Sequence, residues 1–485
     1  MTIDSQLYKW RRTALWIVVV LLPLVLVHPA AAYVPDQRWT TTANGGTGSI
    51  GTPVTLTWSI VPDGTSIPGR SPSNLKAYLD EEIGVGDWLP LFQAAFDRWS
   101  ALGGITFVYE SNDDGVSLNS SGGAQGVRGD IRISGTLIDG ANNTLAYASL
   151  PNDGDIVFDT GETGFFSNST NNFRAFRNTI MHESAHAFGL LHVQSDTNNF
   201  LMEPAINTSF DGPQLDDIRG IQGFYGDIYE KSNNGDGNNS FSTATNLGPI
   251  SIGGSLFIGS DAAIGQRVEP IETNFVSIDT NTDTDFFSFN LISGAKLNFT
   301  LTPLGGTFNQ GAESQPQTLF DANARNDLTL AVLAANGTTV LGTSNLGGPG
   351  TIESITGLSL ADTGQYFVRV TGATPDAMQL YQLQVAAVSA LGIPGDFNND
   401  RIVNAADYAT WRNLRNQTGP NLTADADGNG VVNDLDYNIW RANFGRSAGS
   451  GVVLASGVVP ESASILYWLT ALVFAVLSRR QNFRS

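Results

Sequence analysis

Cysteine is absent from all 485 residues, which excludes disulfide bonds, thiolate metal ligands, cysteine nucleophiles and any latency device built on a thiol. Histidine is almost as scarce, with four copies. Positive charge is thin: 25 Lys and Arg face 46 Asp and Glu, for a formal net charge of −21. That balance argues against nucleic acid as a partner and favours cation binding and solubility outside the cell. No unbroken apolar run reaches the ~20 residues that a lasting membrane-spanning helix needs. What the chain does have is length for about three domains, and 41% hydrophobic residues to fill their cores. Its 53 glycines, with abundant Asn, Thr and Ser, point to short strands and many turns.

The scarce histidines are concentrated. His182, His186 and His192 fall within HESAHAFGLLH, and the fourth, His28, lies in a leader expected to be removed. His182 and His186 are four residues apart, so a helix places them on one face, one turn apart, where both reach the same metal. Glu183 then stands beside that metal, facing a bound water. Gly189 can adopt the left-handed backbone that ends a helix, returning the chain so that His192 becomes the third ligand. Three neutral imidazoles and an open fourth position make a catalytic zinc site. A helix with incidental surface histidines is the bland alternative, and the inventory argues against it.

In chain order, residues 1–32 read as a secretory signal: Lys9, Arg11 and Arg12 precede an apolar run from Ala14 to Val27, and Ala30, Ala31 and Ala32 suit cleavage. A retained anchor is the alternative, made short by Pro23. Residues 33–226 mix strands and helices. VTLTWSI at Val54–Ile60 alternates like a half-buried strand, and residues 88–102 carry apolar positions at helical spacing. Ile105–Tyr109 and residues 130–133 read as further strands, and residues 143–148 as a turn and a strand suited to a sheet edge. The helix bearing the histidines is expected to start in the Asn-rich stretch 168–172, with Phe173, Phe176, Ile180 and Ala187 buried.

HESAHAFGLLH, the following Leu201-Met202-Glu203-Pro204 and LDDIRGIQGFYG at residues 215–226 together resemble the metzincins, and within them the matrixins. The resemblance covers roughly residues 50–226. It implies an α+β domain with a twisted, mostly parallel sheet, an antiparallel edge strand, an active-site helix and a C-terminal helix. It also implies a Met-turn at Met202 beneath the zinc ligands, and Pro204 as a wall of the pocket for the residue after the scissile bond. Substrate would add as a further strand along residues 144–148, with a backbone N–H near Ala146 facing the developing oxyanion. Val157 stands where matrixins place a histidine of a second, structural zinc, so that zinc is expected to be missing. Asp159 and Glu162 match family calcium ligands, the alternative being solvated loop carboxylates.

Composition changes after residue 226. Residues 227–239 read as a polar linker and residues 240–390 as a β-sandwich, with strand signals at DFFSFN, KLNFTLT, LTLAVL, QYFVRV and YQLQV. DTDFF near Asp283 and Asp285, NDLTL and GQYFVRV resemble the bacterial pre-peptidase C-terminal domain, which implies an accessory or export-related module. Asp283 and Asp285 offer calcium ligands or turn chemistry.

Residues 396–446 repeat internally at an offset of 29 residues, aligning Tyr408 with Tyr437, Trp411 with Trp440 and Arg412 with Arg441. Asp396, Asn398, Asp400, Asn404 and Asp407 in one loop, and Asp425, Asp427, Asn429, Asn433 and Asp436 in the other, put oxygen ligands at positions 1, 3, 5, 9 and 12 before a helix, as a calcium ion requires. The pair resembles a type I dockerin, a small α-helical domain of paired calcium loops. Arg401 stands where Gly is expected, and Ala405-Ala406 and Asp434-Leu435 replace the family's usual hydroxyls at the cohesin-facing positions. A cohesin-like or cell-surface partner and a calcium-stabilised spacer therefore both remain open. Residues 447–458 read as a linker. Residues 459–485, with Val459-Pro460-Glu461, an apolar run from Ile465 to Leu477 and Arg479, Arg480 and Arg484, resemble a PEP-CTERM sorting tail, implying transient membrane contact before removal.

The expectation is an exported bacterial zinc endopeptidase acting on protein or peptide substrates outside the cell or at its surface, with one catalytic zinc and structural calcium, two ions in the repeats. Two alternatives remain: a calcium-dependent adhesion or scaffold protein whose protease-like domain only binds, and a zinc hydrolase of non-peptide substrates. Glu183 discriminates against the first, since binding alone does not need an acid/base group. The Met202 turn and the Asp216-Asp217 helix weigh against the second.

Overall fold

The computed structural model describes residues 34–35 and 37–447, except 121, 263–266, 281, 376, 389–392, 399, 420–421 and 427–429. The signal-like leader, the sorting-like tail, Asp427 and Asn429 lie outside the described residues.

The first domain is built on a five-stranded sheet in the order Ile105–Tyr109, Val54–Ile60, Ile131–Thr136, Ile156–Asp159, Ala146–Ala148. The first four strands run parallel, and the last pairs antiparallel at the edge, Ala146 opposite Phe158. Parallel strands need crossovers and covered faces. Helix Leu89–Ser100 supplies one cover, burying Leu91, Phe92, Ala95, Phe96 and Trp99 at helical spacing, with Phe96 stacked on Trp58 at 4.6 Å between ring centres. An additional helix, Leu75–Glu82, has too weak an apolar stripe to stand out in the sequence.

The histidine-bearing helix is Arg174–Phe188, later than the expected start. Its N-cap is Phe173, not an asparagine, because Asn171, Asn172 and Phe173 all take left-handed backbone (φ 54, 58 and 56°) and form a tight turn instead. Phe176, Ile180 and Ala187 are buried as expected, whereas Phe173 is only partly covered. The helix end would leave carbonyls unsatisfied, and aromatic donors from distant segments reach them. Trp39 donates its indole N–H to Ala187 O at 2.8 Å, and Tyr225 its hydroxyl to Phe188 O at 2.8 Å. At Gly189, φ is 122° and a Cβ would stand 2.1 Å from Gln37 O, so only glycine can turn the chain there.

Helix Leu215–Tyr225 closes the domain. Asp217 in its first turn accepts from the backbone N–H groups of Gln214 (2.8 Å), Leu201 (2.8 Å) and Met202 (3.1 Å), tying the helix start to the turn that contains Met202.

Residues 227–239 are not a free linker. Asp227, Glu230 and Asn238 are buried, and short helical turns form at Ile228–Lys231 and Asn233–Gly235. Lys231 reaches the carbonyl of Ile105 at 3.3 Å and also that of Ser100, and Asp227 accepts from Ser277 N at 3.1 Å. Carboxylates and a lysine in a polar stretch read as solvated, yet here they satisfy backbone groups at a domain junction.

The second domain has two five-stranded layers, the second with Val276–Ile278 attached off its main path. The expected strands appear, longer by a residue or more at their ends apart from Leu328–Leu333. An unforeseen hairpin, Thr307–Ala312 and Thr318–Asp321, leaves these layers and pairs with Val193–Ser195 of the first domain. The paired loops near the C-terminus precede helices Ala405–Leu414 and Asp434–Asn443.

Tyr225→Phe removes the hydroxyl from Phe188 O and is expected to cost about 1–3 kcal/mol of stability, read by urea unfolding. Asp217→Asn, which sets an NH₂ against backbone donors, is expected to cost a similar 1–3 kcal/mol; an unchanged unfolding midpoint would remove Asp217 from this role.

Candidate metal centre

The helix and the turn at Gly189 bring the three sequence-predicted histidines together. Their ring centres lie 4.7–5.1 Å apart, and one ligand atom from each falls within 4.8 Å of the others. Each ring is oriented from its far side. His182 Nδ1 donates to Leu201 O at 2.7 Å, His186 Nδ1 to Leu190 O at 2.6 Å and His192 Nδ1 to the Glu313 carboxylate at 2.7 Å. Because all three partners are acceptors, Nδ1 carries the proton and Nε2 is left as a lone pair. His182 Nε2 and His192 Nε2 are 3.1 Å apart, too close for two neutral lone pairs with no cation between them. Burial and the neighbouring imidazoles hold His182 well below its usual pKa and bring His186 down to about 4. Neutral, converging nitrogen donors fit zinc.

Glu183 is also buried, and burial alone pushes its carboxyl up to about 8. The segment carrying His192 is held on both sides, by Val34–Pro35 pairing with Leu190–Leu191 and by the hairpin pairing with Val193–Ser195. Met202 is buried in the turn after it, its carbonyl accepting from Val193 N at 3.0 Å, while Pro204 is half-buried at the end of that turn. Ala146 lies on the edge strand, which runs against the histidine helix.

Val157 is buried among Val61, Ile67 and Leu118, with Tyr147 packed alongside. Asp159 and Glu162 are buried and not solvated loop carboxylates. Asp159 accepts backbone N–H groups of Ile138, Asp139, Gly140 and Gly161; burial raises its pKa, but these bonds outweigh it and hold it below the usual value. Glu162 accepts from Asn142 N at 2.8 Å. Both anchor the loop that leads into the edge strand.

In the first repeat loop Asp396, Asp400 and Asp407 offer oxygens within 4.8 Å of one another. Asn398 bonds to Asp400, and Asn404 caps the following helix through Ala406 N. The second loop repeats this: Asp425 accepts from Gly430 N, Asn433 from Leu435 N, and Asp436 from Ala426 N, each at 2.7 Å. Arg401 and Gly430 occupy equivalent places with φ of 70° and 80°, so the first loop carries about 1–2 kcal/mol of strain that the second avoids. Trp411 donates to Asn433 O and Trp440 to Asn404 O, at 2.8 and 2.9 Å, which locks the repeats to each other.

A further acidic group lies where residues 227–239 meet the sandwich. Glu230, Asp283 and Asp285 place oxygens within 4.8 Å of one another, all buried. Asp283 Oδ1, Asp285 Oδ1 and both side-chain polar atoms of the fully buried Asn238 have no hydrogen-bond partner. Hard oxygen donors left unsatisfied in this way can hold a divalent cation. Asp283 and Asp285 were visible in the sequence; Glu230 and Asn238 gave no signal beyond linker polarity.

Residues 80–226 match the family model described as Matrixin, and residues 394–443 match that of the dockerin type I domain. The hatching enzyme of Paracentrotus lividus is 30% identical over 161 residues, covering 33% of this chain and 25% of that protein. Metalloendoproteinase 5-MMP of Arabidopsis thaliana is 32% identical over 160 residues, covering 31% of this chain and 41% of that protein. The chain thus spans less than half the length of these relatives. Among solved structures, the pre-peptidase C-terminal domain of collagenase from Bacillus anthracis is similar at 13% identity and a TM-score of 0.16, over 29% of this chain and 95% of that one. Residues 80–226 thus carry a match to a matrixin domain that contains the three converging histidines, and residues 394–443 a match to a type I dockerin domain.

Proposed function

We propose that this protein is an exported zinc-dependent endopeptidase that hydrolyses peptide bonds of proteins outside the cell. The observation that carries the reading is the convergence of His182, His186 and His192, each with Nδ1 committed to an acceptor, beside the buried carboxyl of Glu183. These three imidazoles would hold zinc, which supplies a Lewis acid that activates water and polarises a carbonyl. A cation held beside Glu183 would favour its carboxylate against the effect of burial, and as the carboxylate Glu183 accepts the proton of the attacking water and returns it to the leaving amine. An extended substrate lies along Ala146–Ala148, adding a strand to the sheet edge, where a backbone N–H near Ala146 stabilises the charge growing on the carbonyl oxygen. Pro204 walls the pocket for the residue after the scissile bond, and Met202 supports the ligands from below.

Export rests on residues 1–32, and a transient membrane stage on residues 459–485. In the dockerin domain Ala405, Ala406, Asp434 and Leu435 are exposed, which supports a protein partner, cohesin-like or at the cell surface, docking there.

The purified chain is expected to digest casein in a chelator-sensitive manner, and Glu183→Gln to lower kcat/KM by about 10²- to 10⁴-fold while zinc content stays unchanged. Equal activity in the two, or none in either, would contradict the assignment. Calorimetry in calcium is expected to show a higher transition for the dockerin domain than in chelator. Asp407→Asn together with Asp436→Asn should abolish that difference; if the double variant still gains from calcium at this transition, the loops are not the binding sites.

A further inference from the structure

The three ligand histidines are not oriented alike. His182 and His186 give their Nδ1 protons to carbonyls of their own domain, but the acceptor for His192 is the carboxylate of Glu313, 121 residues away at the tip of the sandwich's hairpin. That hairpin is fixed in place. Val193, Gln194 and Ser195 pair with Ala312, Gly311 and Gln310, and Asp196 accepts from the Asn309 side chain at 2.8 Å. Phe308 packs on Phe200, next to the Met202 turn, with ring centres 5.0 Å apart. The hairpin tip is thereby held at the face of His192 turned away from the other two histidines.

We propose that Glu313 is a positioning residue for the third zinc ligand, so that the metal site of the first domain is completed by the second. A carboxylate behind a ligand imidazole fixes its tautomer, stops rotation of the ring and raises the basicity of the ligating nitrogen. His192 needs this more than its partners. It follows the helix instead of riding on it, and its side chain is 27% exposed, whereas His182 is buried. With the Glu313 side chain 50% exposed, this hydrogen bond itself contributes little to folding; its effect falls on the orientation of the ring and hence on metal retention. A first domain severed from the sandwich would keep all three histidines and lose this acceptor.

The inference rests on the zinc reading above, and the test separates the two. Zinc affinity of the full-length chain is measured by competition with a chromophoric chelator for the parent, Glu313→Ala and Glu313→Gln, alongside thermal melts of each zinc-free protein. Expected are about a tenfold weaker affinity for Glu313→Ala, an intermediate loss for Glu313→Gln, which keeps an acceptor without the charge, and zinc-free melts that superimpose on the parent. A Glu313→Ala affinity within twofold of the parent overturns the proposal, as does a loss of affinity that tracks a lowered zinc-free melt in both variants. A parent that binds no zinc overturns this proposal and the zinc reading together.

Discussion

The far-side hydrogen bond of each of the three converging imidazoles is the constraint on which the rest of this structure depends. An imidazole offers a metal one nitrogen only if the other is occupied and the ring cannot turn. Leu190 O, Leu201 O and Glu313 meet that requirement, and each has to be placed by something else. Leu190 follows the glycine turn that ends the helix. Leu201 sits in the turn that Asp217 pins to the closing helix. Glu313 arrives on a hairpin from another domain. The helix end, the Met202 turn, the closing helix and the interdomain strand pairing are thus parts of one supporting frame.

That frame explains where buried polar atoms accumulate. Trp39 and Tyr225 donate to the last carbonyls of the histidine helix, and Trp99 Nε1 donates to Met181 O at 3.1 Å from below. The first two bonds stop the helix from fraying at the end where His186 and Gly189 must hold their geometry. The same logic of distant donors and acceptors recurs in the dockerin domain, where each tryptophan satisfies the backbone of the opposite loop.

Much of this was legible in the sequence, for reasons that differ by residue. The three histidines and Gly189 were readable because ligand spacing on a helix and a glycine turn are local, periodic features. The repeat loops were readable because two copies in register reveal which oxygens matter. Asn168 to Asn172 misled on the helix start, since asparagine is both a good N-cap and a good left-handed turn residue, and here the turn prevailed. Residues 227–239 read as solvated because nothing local shows that Asp227, Glu230 and Asn238 are buried. Glu313 could not have been found at all, as its role exists only once a hairpin over 100 residues downstream pairs with the strand after His192.

The most direct test of the account is to locate the metal. Anomalous diffraction at the zinc edge, from crystals of the zinc-loaded chain, is predicted to place one peak at about 2.0–2.1 Å from Nε2 of His182, His186 and His192, with each Nδ1 still on its acceptor. A peak elsewhere, or a site bound without His192, would contradict it.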